Sequence, residues 1–246
     1  MVVLTQVSYR VAALALGPSL SASAAAPFST FDTAGPGARP IALLWWIMAG
    51  GTLLITAAMI ALALYCAYRP ARTEAIGERN WLLGGGVVFP SLVLLALVAG
   101  GTYATHLMAQ RMAGTPFPVE VHARQWYWEV RYPENGAPSA RSINVIHIPA
   151  SVPVEIRLST EDVIHSFWIP RLGGKVDAIP GRTHLVRLQA DRPGVYRGLC
   201  AEFCGAGHAQ MMLEVHAHDP DQLPAVLAAL DRYGPSRPAA DRSARP

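Results

Sequence analysis

The sequence predicts a two-helix membrane hairpin followed by an all-β domain. Three observations carry that expectation. Residues 41–68 and 81–104 contain no charged side chain, and each run is long enough to cross a bilayer as a helix. Three arginines, Arg69, Arg72 and Arg79, stand between them. From residue 118 onward the pattern changes to short stretches rich in β-branched and aromatic residues, punctuated by Gly and Pro.

Length and composition bound the rest. A chain of 246 residues accommodates one or two domains. Its hydrophobic fraction of 52% against 15% charged is apolar for a soluble protein. The net charge of +3 is mild, and no basic stripe interleaved with aromatics is present, so a nucleic-acid partner is not expected. Three cysteines are too few for a disulfide framework. Cys66 lies in the first apolar run and reads as a small buried hydrophobe.

Residues 1–40 carry Arg10, a short apolar stretch over 11–16 and a small-residue run over 21–26, the order of a secretory leader. Residues 41–110 are expected to form the hairpin. In the second run Gly84, Gly85, Gly86 and Pro90 are breakers that neighbouring helices can tolerate inside lipid. The arginine-bearing connection should be cytoplasmic, which leaves everything after it outside. The β domain is expected over residues 115–220. Its strands are predicted at 119–132, 142–148, 152–158, 183–188, 194–199 and 211–217, with a turn at Pro133, Glu134, Asn135 and Gly136. Many short strands with Gly/Pro turns imply a sandwich or a barrel. Within 221–246, residues 221–233 place Leu223, Val226, Leu227 and Leu230 at helical spacing, and a polar Pro/Arg/Ala-rich tail follows.

The chemistry concentrates in one stretch, where Cys200, Cys204, His208 and Met211 are spaced C-x3-C-x3-H-x2-M among Gly198, Gly205 and Gly207. The glycines argue for a loop. Two thiols, an imidazole and a thioether are soft ligands that suit copper or zinc and not magnesium or calcium. His165 offers a second imidazole upstream. One Cys, two His and a weak Met describe a mononuclear blue-copper site, and a second thiolate can bridge two ions. A Cys200–Cys204 disulfide and a structural zinc site are the competing readings. The thioether weighs against zinc. The remaining histidines, His106, His122, His147, His184, His216 and His218, are expected to be structural or solvated.

The run C-A-E-F-C-G-A-G-H-A-Q-M, preceded by R-Q-W-Y-W, E-D-V-I-H-S-F-W-I-P and K-V-D-A-I-P-G-R, resembles subunit II of cytochrome c oxidase. The resemblance extends from about residue 41 to residue 212. It implies a cupredoxin-like Greek-key barrel carrying a binuclear copper centre, CuA, with His165, Cys200, Glu202, Cys204, His208 and Met211 as metal ligands. The backbone carbonyl of Glu202 would bind copper, and its carboxylate would reach a magnesium ion shared with subunit I. Trp126 would be the point where electrons arrive from cytochrome c. Glu78 would stand at the mouth of a proton path. Asp177 and Arg182 match the turn beside the site. Glu161 and Asp162 match acidic positions near the cytochrome docking surface.

The implied function is acceptance of electrons from cytochrome c and their delivery to haem in subunit I, where oxygen is reduced to water with proton translocation. The implied partners are subunit I, subunit III, cytochrome c and the membrane. The implied location is the bacterial inner membrane, multi-pass, with the copper domain on the periplasmic side. No C-x-x-C-H motif occurs, so the donor cytochrome is expected to be a separate protein. The copper-free quinol oxidase subunit of the same fold is disfavoured by the intact Cys200, Cys204, His208 and Met211. The similar loop of nitrous-oxide reductase is disfavoured by the hairpin. A membrane-anchored zinc domain is the alternative outside redox chemistry.

Overall fold

The structure is a computed structural model that describes residues 28–68, 77–133 and 140–233. Arg69, Arg72, Glu74, most of the turn after Pro133, the leader over 1–27 and the tail over 234–246 lie outside the described residues.

The first apolar run forms α1 (Ala38–Tyr68), a helix of 31 residues. The second forms one continuous rod: α2 (Glu78–Leu83), a π-helical segment over Gly84–Val88, then α3 (Phe89–Arg111). The three glycines therefore widen the helix and do not break it. Pro90 stands just after the π segment, where the regular i→i−4 bonding of the rod is already interrupted and a missing N–H is most easily accommodated. Both rods are long and apolar enough to cross a membrane, and neither is buried by the rest of the chain. Cys66 is exposed on α1, contrary to its expected burial, because the hairpin has no protein layer to cover that face. Phe31, Trp45 and Trp46 cluster at the start of α1 with centroids 4.7–5.4 Å apart, an aromatic group suited to a membrane boundary.

The segment before α1 straps the hairpin to the β domain. Ala34 N–H donates to Arg171 O at 2.8 Å, and Asp191 N–H donates to Ala34 O at 2.9 Å. Arg171 also pairs with Asp32 at 2.8 Å. Gly35 is required for this approach, since a Cβ there would stand 2.3 Å from Gln189 O.

Among the described residues ten strands make two five-stranded sheets. The first has the order β3-β2-β1-β5-β8, from β1 (Phe117–Arg124), β2 (Tyr127–Arg131), β3 (Arg141–Ile143), β5 (Val154–Thr160) and β8 (His184–Leu188). The second has the order β4-β10-β9-β6-β7, from β4 (Val145–Pro149), β6 (His165–Trp168), β7 (Val176–Ala178), β9 (Gly194–Cys200) and β10 (Met212–His218). β1 pairs β5 in parallel and β10 pairs β4 in parallel; the other pairs are antiparallel. The expected strand over 119–132 is two strands folded back at Gln125 and Trp126. β6 and β7 carry too few residues to show an alternation in sequence.

Period-2 patterning explains the core. Val119, Val121 and Ala123 of β1, Ile156 and Leu158 of β5, and Leu213 and Val215 of β10 point inward, around Trp128 and Phe167. α4 (Leu223–Tyr233) packs Leu227 and Leu230 against this core. The result is a membrane-type helical hairpin joined to an all-β, cupredoxin-like domain.

Candidate metal centre

The β9–β10 connection and the start of β6 bring the soft donors together at one end of the second sheet. β6 lies beside β9 with Phe167 opposite Cys200, which sets His165 next to the end of β9. The feet of the loop are tied: Cys200 N–H donates to Met211 O at 3.0 Å, and Ala201 N–H donates to Ser166 O at 2.9 Å. Gly205 has φ +115°, which a side chain rarely adopts. His208 opens a single 3-10 turn, His208–Gln210, that returns the chain to β10.

The donor atoms form a compact set. Cys200 Sγ lies 3.8 Å from Cys204 Sγ, 3.9 Å from His165 Nδ1 and 3.2 Å from Glu202 O. Cys204 Sγ lies 3.6 Å from His208 Nδ1 and 3.8 Å from Met211 Sδ. Donors roughly 2.0–2.3 Å from a shared ion stand about 3.3–3.8 Å from one another. The sulfur–sulfur distance also excludes a disulfide, whose bond is about 2.05 Å. His165, Cys200, Cys204 and Met211 are buried, while His208 is half-buried and the Glu202 side chain is exposed. All six residues singled out as ligands thus meet at one place, Glu202 through its carbonyl. The set fits copper better than zinc or a hard cation, because it includes a thioether.

Asp162 orients the site. It accepts hydrogen bonds from Gln125 N–H at 2.7 Å and Val163 N–H at 2.6 Å, and it meets His165 Nε2 at 2.8 Å. Burial opposes its charge, but bonding to His165, Val163, Gln125 and Thr160 outweighs that and holds the carboxyl at about 2. A carboxylate on the far nitrogen fixes the ring with Nδ1 toward the sulfurs. Asp162, expected from the resemblance as a docking acid, is therefore committed to His165. Glu161 remains exposed and pairs with Arg124 at 3.5 Å. Of the two thiols Cys200 ionises first. Burial resists this, but bonding to His165 and the nearby backbone lowers it, whereas burial and the Cys200 charge push Cys204 up. Asp177 accepts from Ser166 Oγ at 2.7 Å and so steadies β6 from β7.

Trp126 lies against the loop. Its Nε1–H donates to Cys204 O at 3.2 Å, and Gln125 Nε2 donates to the same oxygen at 2.8 Å. A Cβ on Gly207 would fall 2.5 Å from the Trp126 ring, so only glycine allows this contact. Trp126 remains 40% exposed, which places it between the donor set and solvent. Glu78 is exposed in the first turn of α2, at the far end of the hairpin from the strap. The roles of Asp162 and Gly207 escaped the sequence reading; an acid three residues before a ligand histidine was the available signal for the first.

Comparison with known proteins follows the same residues. The family model described as "Cytochrome C oxidase subunit II, periplasmic domain" matches residues 139–218. A cytochrome c oxidase subunit 2 of Alkalihalophilus pseudofirmus is 34% identical over 140 residues, 55% of this chain and 40% of that protein. One of Synechocystis sp. is 38% identical over 123 residues, 50% of this chain and 36% of that protein. The chain thus spans less than half the length of these relatives in alignment. Among solved structures, the periplasmic domain of subunit II of cytochrome oxidase (CoxB) of Bradyrhizobium japonicum aligns at 25% identity and a TM-score of 0.46, covering 50% of this chain and 98% of that one. By its β domain and the residues of its loop, this chain is similar to the cytochrome c oxidase subunit II family over residues 139–218 and over about half of its length in the relatives above.

Proposed function

We propose that this chain is the electron-accepting subunit of a cytochrome c oxidase and that its donor set holds a binuclear copper centre, CuA. The supporting observation is the pair of buried thiols 3.8 Å apart, with an imidazole on each and a thioether and a carbonyl alongside. His165, Cys200, Cys204, His208, Met211 and the Glu202 carbonyl are the ligands in this reading. When bound, the centre supplies one-electron acceptance and release with the charge shared over two ions. The protein's part is to fix the ligands: the tied loop feet, Asp162 on His165 and the Trp126–Gly207 contact leave the donors little room to move.

In this reading residues 41–110 anchor the chain in the bacterial inner membrane. Residues 115–220 form the copper domain on the periplasmic side. Residues 1–40 are leader and extracytoplasmic segment, and 221–246 are helix and tail. Electrons arrive from cytochrome c at Trp126 and leave for haem in subunit I, with subunit III a further partner. The exposed Glu202 carboxylate faces outward, as a magnesium ion shared with subunit I requires.

The test is metal content. The full chain in detergent, given copper, is expected to bind two coppers, turn purple and show an unpaired spin shared equally by both. A single copper with a blue-copper spectrum, or a preference for zinc over copper, overturns the reading.

Glu78 begins α2 as an exposed acid at the end of an apolar helix, the position the resemblance gives to the mouth of a proton path. Glu78→Gln in the assembled oxidase is expected to slow proton-coupled reduction of the oxygen site to a fraction of the unmodified rate, with the copper spectrum unchanged. Unaltered turnover removes Glu78 from the mechanism.

A further inference from the structure

The outer face of the second sheet carries imidazoles that the copper reading leaves without a role. On β10 the alternation sends Leu213, Val215 and Ala217 inward and Glu214, His216 and His218 outward. β4 runs parallel beside it with His147 opposite His216, and His147 points outward between buried Ile146 and Ile148. Three of the six histidines expected to be structural or solvated thus stand together. Ring centroids stand 5.3 Å apart for His147–His216, 5.2 Å for His147–His218 and 6.4 Å for His216–His218. His147 Nδ1 lies 2.9 Å from His218 Nε2, and His216 Nε2 lies 3.0 Å from Glu214 Oε2.

We propose that His147, His216 and His218 form a second metal site, a three-imidazole site for a zinc ion on the β4–β10 face. Three imidazoles with an open fourth position are an established zinc donor set. With Zn–N bonds of about 2.0–2.1 Å in a tetrahedral site, bound nitrogens stand about 3.3 Å apart and ring centroids about 5.2 Å apart. Two of the three centroid distances already match. The His147–His218 nitrogens need only to part slightly, whereas the His216 ring must turn to bring a nitrogen to the pair, since the three rings do not yet place one nitrogen each within 4.8 Å of one another. Glu214 supplies what a ligating histidine usually has, a carboxylate on its other nitrogen, which leaves His216 Nδ1 for the metal. Arg197 approaches the other Glu214 oxygen at 3.5 Å, and Asp219 follows His218 with a second carboxylate.

The site is independent of the sulfur donors. His216 is five residues along β10 from Met211, about 16 Å at the rise of a strand, and on the opposite face of the sheet. It joins β4, the edge strand, to its only neighbour in the sheet among the described strands. A zinc ion there cross-links that edge and stabilises the folded domain by mass action.

The experiment uses the full chain without a polyhistidine tag, with the thiolate loop filled with copper first and Zn2+ titrated afterwards. One zinc per chain beyond the copper and an upward shift of the thermal midpoint are expected. His147→Ala and His218→Ala are expected to weaken zinc binding at least about tenfold and to abolish the shift, with the copper spectrum unchanged. Co2+ in place of zinc should give the weak visible bands of a tetrahedral nitrogen site without thiolate-to-metal charge transfer, which separates this site from the loop. No zinc retained beyond copper, sulfur charge transfer on the added cobalt, or unaltered binding in both variants overturns the proposal.

Discussion

Cys204→Ser is expected to abolish the binuclear centre while leaving the domain folded. Cys204 is 3% exposed and its Sγ stands within 3.6–3.8 Å of three other donors, Cys200, His208 and Met211. Serine keeps the volume and the loop geometry, so the β9–β10 connection retains its tie from Cys200 N–H to Met211 O. It replaces the atom that stands nearest His208 and Met211 and links them to Cys200. A hydroxyl is a hard donor that stays protonated near neutral pH and does not bridge copper as a thiolate does. Copper content should fall from two per chain to one or none, and the purple absorption and shared spin should vanish. Changes that touch only a ligand's support cost about 10–100-fold in affinity or activity, so loss of a central ligand should cost more than about 100-fold in oxidase turnover. The far-ultraviolet dichroism and the apo-protein's thermal midpoint should hardly move. Two coppers with the parent spectrum in Cys204→Ser would remove this thiol from the site.

The contrast between what was legible in sequence and what was not follows chain separation. Cys200, Cys204, His208 and Met211 lie on one loop, so their spacing alone announced soft-ligand chemistry. The hairpin was legible for a similar reason, because each apolar run is a single element. The π segment over Gly84–Val88 was not, since glycines in sequence do not distinguish a widened turn from a broken one. His165 could be read only as a second imidazole to add to the loop's donors, because its own strand is four residues long and carries no local signal. Its partner Asp162 reads in sequence as a surface acid, and only the fold turns it back onto the ring. The three-histidine cluster depends on the parallel pairing of β4 with β10, strands far apart in the chain. No local pattern announces such a pairing, because each strand alone shows ordinary outward polar residues. The Gly207 contact with Trp126 has the same origin: a residue of one sheet's turn meets a loop of the other sheet.

Trp126→Ala is expected to slow electron transfer within the bound cytochrome complex while leaving binding nearly intact. Trp126 is the exposed ring that touches the ligand loop directly, through Nε1–H to Cys204 O and through its face on Gly207. Its removal does not release the loop, because Gln125 Nε2 holds the same carbonyl at 2.8 Å and the loop feet are tied by backbone bonds. Copper content and spectrum should therefore be retained. What disappears is the packed path of atoms from surface to carbonyl, replaced by a gap or by water. The transfer rate measured after docking should drop by roughly tenfold or more, equivalent to about 1.4 kcal/mol on the barrier. Phe203, Val163 and Ile164 stay exposed on neighbouring loops and preserve an apolar docking area. Tryptophan is also a frequent anchor of interfaces, so the competing outcome is concrete: weaker binding with an unchanged rate in the bound state. That result would make Trp126 a docking residue and move the arrival of electrons elsewhere. Trp126→Phe separates the ring from the N–H, since it keeps the face on Gly207 and loses the bond to Cys204 O. It should transfer at nearly the parent rate if the packed ring carries the coupling. Salt supplies the control: a change in encounter with the charged rim around Glu161 shrinks as salt rises, whereas a change in coupling after docking persists at every salt concentration.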